Sequence, residues 1–471
     1  MFRKIYILLI FLLCIMGIYF GFNSTIIPNT VLYILIAFYV INILLMAILF
    51  KRRKKKKIFL KILGIFISII LILCNVALFL VYHKANSFFN KITDIAYETT
   101  NYNVIVLNDS EYEKLDDIKK IGLFYNEIDT NYNDALEELD EKSNFEKEEY
   151  DNILLLVTDI LSKKIDGIFI NENYIDIIVE GNEKLKDNIK VLDKITISSE
   201  TKVVKQEMKD ITKVNSFNIY ISGIDTYGDI SNVSRSDVNM IATINIKENK
   251  ILLTNTPRDY YVQLHGTTGV KDKLTHAGVY GIDMSIKTLE DLYDTKIDYY
   301  IRVNFNTLIK LVDEIGGIDI YSDAAFTPWT NRSVYVKYGW NHFDGAAALA
   351  YSRERMTYLE GDIHRGQNQQ QVIEAIIKKV TKSKDINTYL SLLNTMENSI
   401  QTSIDKKLIN GLINLQVKNN YDWKIESVSV KGYDDGGYTY SYPGQYLYVM
   451  QPDYNSLESA KSKIKELYKK D

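Results

Sequence analysis

The sequence predicts an α/β protein, membrane-anchored at its amino end, with a small α/β accessory domain followed by a larger layered α/β domain. Three observations predict it. Long apolar stretches occupy residues 1–83. From residue 84 onward short apolar strand patterns such as NVIVLN, IGLFY and IDGIFI alternate with helix-like runs such as NFEKEEYDNILLLVTDILSKK, the pattern of sheets with helices laid on them. Residues 206–471 are long enough to bury a large core. With five prolines and 35 tyrosines among 471 residues, the chain reads as ordered rather than linker-rich.

The amino end comes first. YILLIFLLCIMGIYFGF, VLYILIAFYVINILLMAILF and IFLKILGIFISIILILCNVALFLVY are each about long enough to cross a bilayer, at about 5–22, 31–50 and 62–82. The basic residues of FRK and of KRRKKKK at 51–57 flank them on one side, which by the positive-inside rule is the cytoplasm. Three crossings put everything after His83 outside a multi-pass membrane protein, with the basic loop touching anionic lipid. A cleaved signal peptide would leave two crossings, and no small-residue cleavage pattern follows the first stretch. The net charge of −4 gives no global field for nucleic acid, and Cys14 and Cys74 both lie in apolar stretches, leaving the rest without disulfides or cysteine metal sites. The five histidines show no paired metal-ligand spacing.

The accessory domain is expected at 84–205, where lysine, aspartate and glutamate surround the short strands. It shows no ligand motif and reads as a spacer or partner-docking unit. The second domain, 206–471, opens with the strand FNIYISGID and the two-strand hairpin VNMIATINIK/KILLTNTPRD, followed by helical patterns at IDMSIKTLEDLYD and NTLIKLVDEIGG.

Charge gathers in the segment YSRERMTYLEGDIHRGQNQQQ. In an extended chain Arg353 and Arg355 would share a face, with Ser352 and Glu354 pointing away. Arg365 and Gln369 lie four apart on a helix read from about Gly361 to Val380. Arginine's planar fork suits phosphate oxygens. If such a cluster awaits an anion, Arg258→Ala or Arg353→Ala should leave the fold intact and the empty protein as stable as before or slightly more so. In SRSDVNM, Arg235 and Asp237 would share a strand face, Asp225 ends the preceding strand, and TPRD places Arg258 at another strand end. Two carboxylates beside arginines suit a hard divalent cation that also takes phosphate oxygens; Arg235 and Asp237 as an ordinary surface ion pair is the plainer alternative.

The ordered motifs GID…RSD, LLTNTPRD, DGAAALAYSRER and GDIHRGQNQQQVI, over roughly residues 217–383, resemble the LytR-CpsA-Psr family of wall-glycopolymer ligases. The three apolar stretches and the accessory domain resemble its capsule-type branch. The resemblance implies an α-β-α layered domain with a mixed central sheet, in the envelope of a Gram-positive cell. It implies transfer of an anionic glycopolymer from an undecaprenyl-pyrophosphate carrier to peptidoglycan, at the C6 hydroxyl of N-acetylmuramic acid. It also implies catalytic Arg235, Arg258, Arg353, Arg355 and Arg365, substrate-binding Gln369, Asp259 and Asp362, and Mg²⁺ (or Mn²⁺) on Asp225 and Asp237. Asp259 and Asp362 could instead orient an arginine or cap a helix. Asn368 stands where the family often has arginine. AAALAY and VIEAIIKKV could line a groove for the polyprenyl tail, or simply be core. Water as acceptor would make the chain a lipid-pyrophosphate hydrolase. A membrane sensor without catalysis is the other rival, although KRRKKKK is too small for an output domain.

Overall fold

The computed structural model describes residues 2–23, 29–49, 58–93, 97–182, 185, 187–200, 214–224, 229–359, 361–383, 389, 391–392, 399–404 and 406–468. The basic loop 51–57, the boundary between the two expected domains and Asp225 lie outside the described residues.

Three helices occupy the apolar amino end: α1 (Phe2–Asn23), α2 (Asn29–Leu49) and α3 (Ile58–Thr93). They pack on Ile10, Cys14, Tyr39 and Leu71, while Leu8, Ile34, Leu44, Phe66 and Leu73 point outward. Among the described residues no helix is long and apolar enough to cross a membrane. The three expected spans are thus found as packed helices. α3 also runs past the expected limit near residue 82, to Thr93.

The next unit holds β1 (Tyr97–Leu107), β2 (Lys120–Phe124), α4 (Tyr132–Lys142), β3 (Glu146–Tyr150), α5 (Ile153–Leu161), β4 (Gly167–Asn171), α6 (Asn173–Gly181) and β5 (Ile189–Glu200). Its sheet has the order β3-β2-β4-β1-β5, parallel where β2 meets β3 and β4, antiparallel around β1. Alternate residues of β1 face opposite sides, so Ile105 joins the core under α5 and α6 while Val104 and Val106 join the one under α4.

The larger unit begins with β6 (Ser216–Ile224), β7 (Ser236–Asn245) and β8 (Lys250–Thr256), then β9 (Tyr261–Val262), β10 (Asp272–Lys273), α7 (Leu274–Ala277), α8 (Ile282–Tyr293), β11 (Tyr299–Val303) and α9 (Phe305–Glu314). It continues with β12 (Ile318–Ser322), β13 (Gly339–Phe343), α10 (Gly345–Arg353), α11 (Asp362–Lys382), β14 (Ile400–Thr402), the helix Lys406–Asn419, β15 (Lys424–Ser429), β16 (Gly432–Tyr438), β17 (Tyr446–Pro452) and the helix Tyr454–Leu467. A six-stranded mixed sheet, β14-β11-β6-β7-β8-β15, forms the middle layer. α8 and the last helix cover one face through Ile286, Leu289, Leu457 and Ile464; α11 and Lys406–Asn419 cover the other through Ile373, Ile377 and Leu408. This is the α-β-α arrangement with a mixed central sheet that the resemblance implies.

The two units are joined by a buried ion pair. Arg302 of β11 donates from Nη1 to Glu98 Oε1 of β1 at 2.8 Å and from Nη2 to the Asn232 carbonyl at 2.9 Å. Burial pushes the Glu98 carboxyl above the usual range despite Arg302. Removing one partner of a buried pair leaves the other charge uncompensated. Arg302→Met should therefore lower the unfolding free energy of the full-length protein by about 3–5 kcal/mol in urea titrations. A loss below about 1 kcal/mol would mean that water reaches Glu98 and the pair behaves as a surface one.

Candidate functional site

β6, β8 and β11 run in the same direction, since β11 is parallel to β6 and β7 is antiparallel to both of its neighbours. Their carboxyl ends, where α/β sheets place ligands, open on a cavity of about 600 Å³ roofed by α9, α10 and α11. Its wall is apolar: Ile221, Val238, Ile301 and Val303 from the strands, Leu308 and Leu349 from the roof, and Val372, Ile373, Ile376 and Ile377 from α11. Four of the five expected arginines, Arg258, Arg353, Arg355 and Arg365, line the same cavity, with Gln369 and Asp237.

Each is placed by its local structure. Pro257 stops β8, and Arg258 follows at once. α10 starts on Asp344, whose carboxylate accepts from the Ala347 amide at 2.8 Å, and its alanines carry it through Arg353. The expectation of an extended 351–355 segment is thereby corrected: Arg353 ends a helix and Arg355 follows in the turn beyond it. The guanidinium of Arg353 sits 4.2 Å from the centre of the Phe305 ring. Glu354 is buried and accepts from the amides of Trp329, Met356 and Thr357 at 2.7, 2.7 and 2.9 Å. It thereby pins the turn that carries Arg355. α11 begins at Asp362, close to the expected start, and puts Arg365 and Gln369 one turn apart toward the cavity. Gly366 lets this helix approach β8, because a Cβ there would fall 2.0 Å from Asn255 Nδ2.

Asp237, near the start of β7, accepts from Arg258 Nη1 at 2.6 Å and from the Thr275 hydroxyl at 3.2 Å. Burial pushes its carboxyl up, but Arg258, Arg365 and Arg235 outweigh that and hold it below the usual carboxylate range. Asp362 pairs with Arg365; burial pushes its carboxyl above the usual range, with Arg365 opposing and Asp259 adding to the rise. Asp259 faces Arg258 Nε at 3.8 Å and the buried Lys273 at 3.5 Å. Neither Asp259 nor Asp362 is among the cavity-lining residues.

Two expected positions fall elsewhere. Arg235 precedes β7, does not line the cavity, and has its guanidinium 3.3 Å from Asp176 on α6 of the neighbouring unit. Asn368 is buried and donates to the Tyr351 carbonyl at 3.2 Å, which ties α11 to α10 rather than facing the cavity. Sequence reasoning missed Lys273, Thr275, Phe305 and Trp329. KDKLTHAG carries a lysine beside a buried aspartate, but nothing in its pattern marks it as lying next to TPRD.

The apolar wall and the arginines thus meet in one cavity at the carboxyl ends of the strands. Residues 179–463 match the LytR_cpsA_psr family, and the chain belongs to it. Among curated relatives, the polyisoprenyl-teichoic acid–peptidoglycan teichoic acid transferase TagU of Bacillus mycoides is 34% identical over 199 residues, 42% of this chain. The match spans 64% of that relative's length. The transferase of the same description from Bacillus subtilis, TagT, is 32% identical over 47% of this chain and 69% of its own. Among solved structures, B. subtilis TagV is 28% identical with a TM-score of 0.47, covering 55% of this chain and 98% of that one. TagT bound to LIIa-WTA is 29% identical with a TM-score of 0.45, covering 56% and 95%.

Proposed function

We propose that the chain is a phosphotransferase that attaches an anionic glycopolymer, carried on polyprenyl pyrophosphate, to peptidoglycan. The observation that carries this reading is the single cavity that joins an apolar wall to Arg258, Arg353, Arg355 and Arg365. In it the polyprenyl chain lies along Leu349, Val372, Ile373 and Ile376, and the pyrophosphate meets the guanidinium groups. The names of the relatives favour a teichoic acid as the polymer. The capsule-type branch rests only on the layout of three apolar helices and an added domain.

The chemistry follows from charge. The pyrophosphate repels an incoming hydroxyl, and arginines lower that barrier by balancing negative charge as it shifts to the leaving phosphate. The acceptor hydroxyl gives its proton to a phosphate oxygen or to water and forms a bond to the sugar-linked phosphorus, the P–O–P bridge breaks, and polyprenyl phosphate leaves with the bonding pair.

The residues also fit a hard divalent cation, Mg²⁺ or Mn²⁺. Asp237 is kept ionised at the cavity, and such ions need only one or two protein carboxylates besides substrate oxygens. Among the described residues no three carboxylate, imidazole or thiol groups gather to hold a metal by themselves. Asp237 with Asp225 would hold the ion, which when bound supplies charge to the phosphates.

We read α1, α2 and α3 as bilayer spans, with 51–57 in the cytoplasm and the larger units outside. Twenty-two residues of α1 reach about 33 Å at 1.5 Å per residue, and α3 passes beside β14, whose Ile400 lines the cavity. The carrier lipid then has a short path from the membrane. A reporter fused after residue 471 should be active only outside the cell; activity in the cytoplasm overturns this reading.

The test of function is to supply the full-length protein in lipid with polyprenyl-pyrophosphate-linked polymer and peptidoglycan. Polymer should become covalently attached to glycan, and polyprenyl phosphate should be released. Release of free polymer at the same rate without acceptor would make the protein a hydrolase instead.

A further inference from the structure

β16 and β17 form a hairpin separate from both sheets, with Tyr438 opposite Tyr446 and Gly436 opposite Tyr448. Directly opposed residues share a face. The outward face carries three tyrosines that stay 55%, 60% and 44% exposed at 438, 446 and 448. Large rings left in water side by side mark a binding surface more often than rings exposed singly.

Their arrangement is built rather than incidental. The Tyr438 and Tyr446 rings meet at 5.4 Å and 79°. Tyr446 lies across Gly436, where a Cβ would meet the ring and push it aside. Tyr448 donates to Asp434 Oδ1 at 2.7 Å. Beneath, Leu447 and Val449 are buried, and Tyr261 donates to the Tyr438 carbonyl at 2.6 Å, so the hairpin is held firmly.

The hairpin is also continuous with the arginine cavity. The Met450 amide donates to the carbonyl of Asp259 at 2.7 Å, which ties the hairpin to the residue next to the cavity-lining Arg258.

We propose that this face holds the acceptor, an uncharged glycan strand of N-acetylated pyranoses, beside the cavity. This rests on the transferase reading above. Flat rings offer large, rigid, amphipathic contact area for the C–H faces of sugars at low entropic cost, and the Asp434 carboxylate takes hydroxyl or amide hydrogens. Charge decides between the two glycans of the reaction. Residues 432–452 contain no lysine or arginine, and Asp434 shares the tyrosine face while Asp435 lies on the other. A polymer of repeating phosphates is repelled by such a surface, whereas a neutral glycan is not.

The test uses the full-length protein in lipid nanodiscs and three probes: a tetrasaccharide of alternating N-acetylglucosamine and N-acetylmuramic acid with its lactyl carboxyls amidated, so that it is uncharged; free teichoic acid; and undecaprenyl pyrophosphate. The double variant Tyr438→Ala/Tyr446→Ala should bind the tetrasaccharide at least ~tenfold more weakly, with its affinity for undecaprenyl pyrophosphate and its melting temperature unchanged. Tyr446→Phe, which keeps the ring, should bind the tetrasaccharide like the parent. The proposal is overturned if the parent does not bind the tetrasaccharide, if the double variant binds it equally well, or if teichoic acid binding is lost instead. Failure of the parent to bind undecaprenyl pyrophosphate would count against the transferase reading and leave the glycan measurement to stand by itself.

Discussion

Arg353→Ala and Arg258→Ala are both expected to abolish polymer transfer, but with different effects on the empty protein. Each removes a charge-assisted contact to phosphate worth about 1.5–3 kcal/mol, or roughly 10–150-fold in affinity for the lipid pyrophosphate. The loss in transfer rate should be greater, toward the 10³–10⁵-fold range of arginines that balance charge in phosphoryl transfer. Arg353 rests on the Phe305 ring, a contact worth about 0.5–1 kcal/mol at a partly exposed site, so stability should fall by at least about that much. Arg258 is different: it pairs at 2.6 Å with Asp237, whose side chain is only 15% exposed. Its removal leaves a nearly buried carboxylate uncompensated, at a cost of about 3 kcal/mol, the low end for buried pairs because some water reaches the group. The expectation that losing these arginines only relieves repulsion is thus corrected for both, by the ring beneath Arg353 and by the acid already beside Arg258. Urea unfolding and transfer assays on both variants check this. If Arg353→Ala transfers polymer at the parent rate, that guanidinium takes no part in the chemistry, whatever its effect on stability.

How much of this was legible follows from where the information lies. The helix from Asp362 was readable because Arg365, Gln369 and the apolar residues after them repeat at helical spacing within one segment. The 351–355 segment was misread because R-E-R mimics strand alternation, while the helix there depends on the Asp344 cap and the alanines before it. The pairing of Asp237 with Arg258 was beyond sequence reasoning. The residues are 21 positions apart and meet only because Asn239 of β7 registers with Thr256 of β8. The β16–β17 hairpin escaped for another reason: GYDDGGY has too few apolar residues to alternate, and its strand character comes from pairing with YLYVMQP.

Mg²⁺ and lipid pyrophosphate should each tighten the binding of the other, and Asp237→Asn should abolish that coupling. Mg²⁺ sheds water reluctantly and favours phosphate oxygens as added ligands, so one ionised carboxylate at the cavity is a weak site until the substrate arrives. In the empty protein Asp237 already accepts from Arg258 and Thr275, which weakens it further as a site for the ion alone. A pyrophosphate that draws Arg258 toward its own oxygens would free the carboxylate, so the two ligands help one another through the same side chain. Linkage requires the factor to be equal in both directions. A coupling of about 5–150-fold is the usual size. Calorimetry of undecaprenyl pyrophosphate binding to the full-length protein in nanodiscs, with Mg²⁺ and with chelator, reads it directly. The parent should lose affinity in chelator, and Asp237→Asn should bind with the same affinity in both. A parent indifferent to chelator would mean that the arginines alone hold the phosphates and that Asp237 serves to orient Arg258.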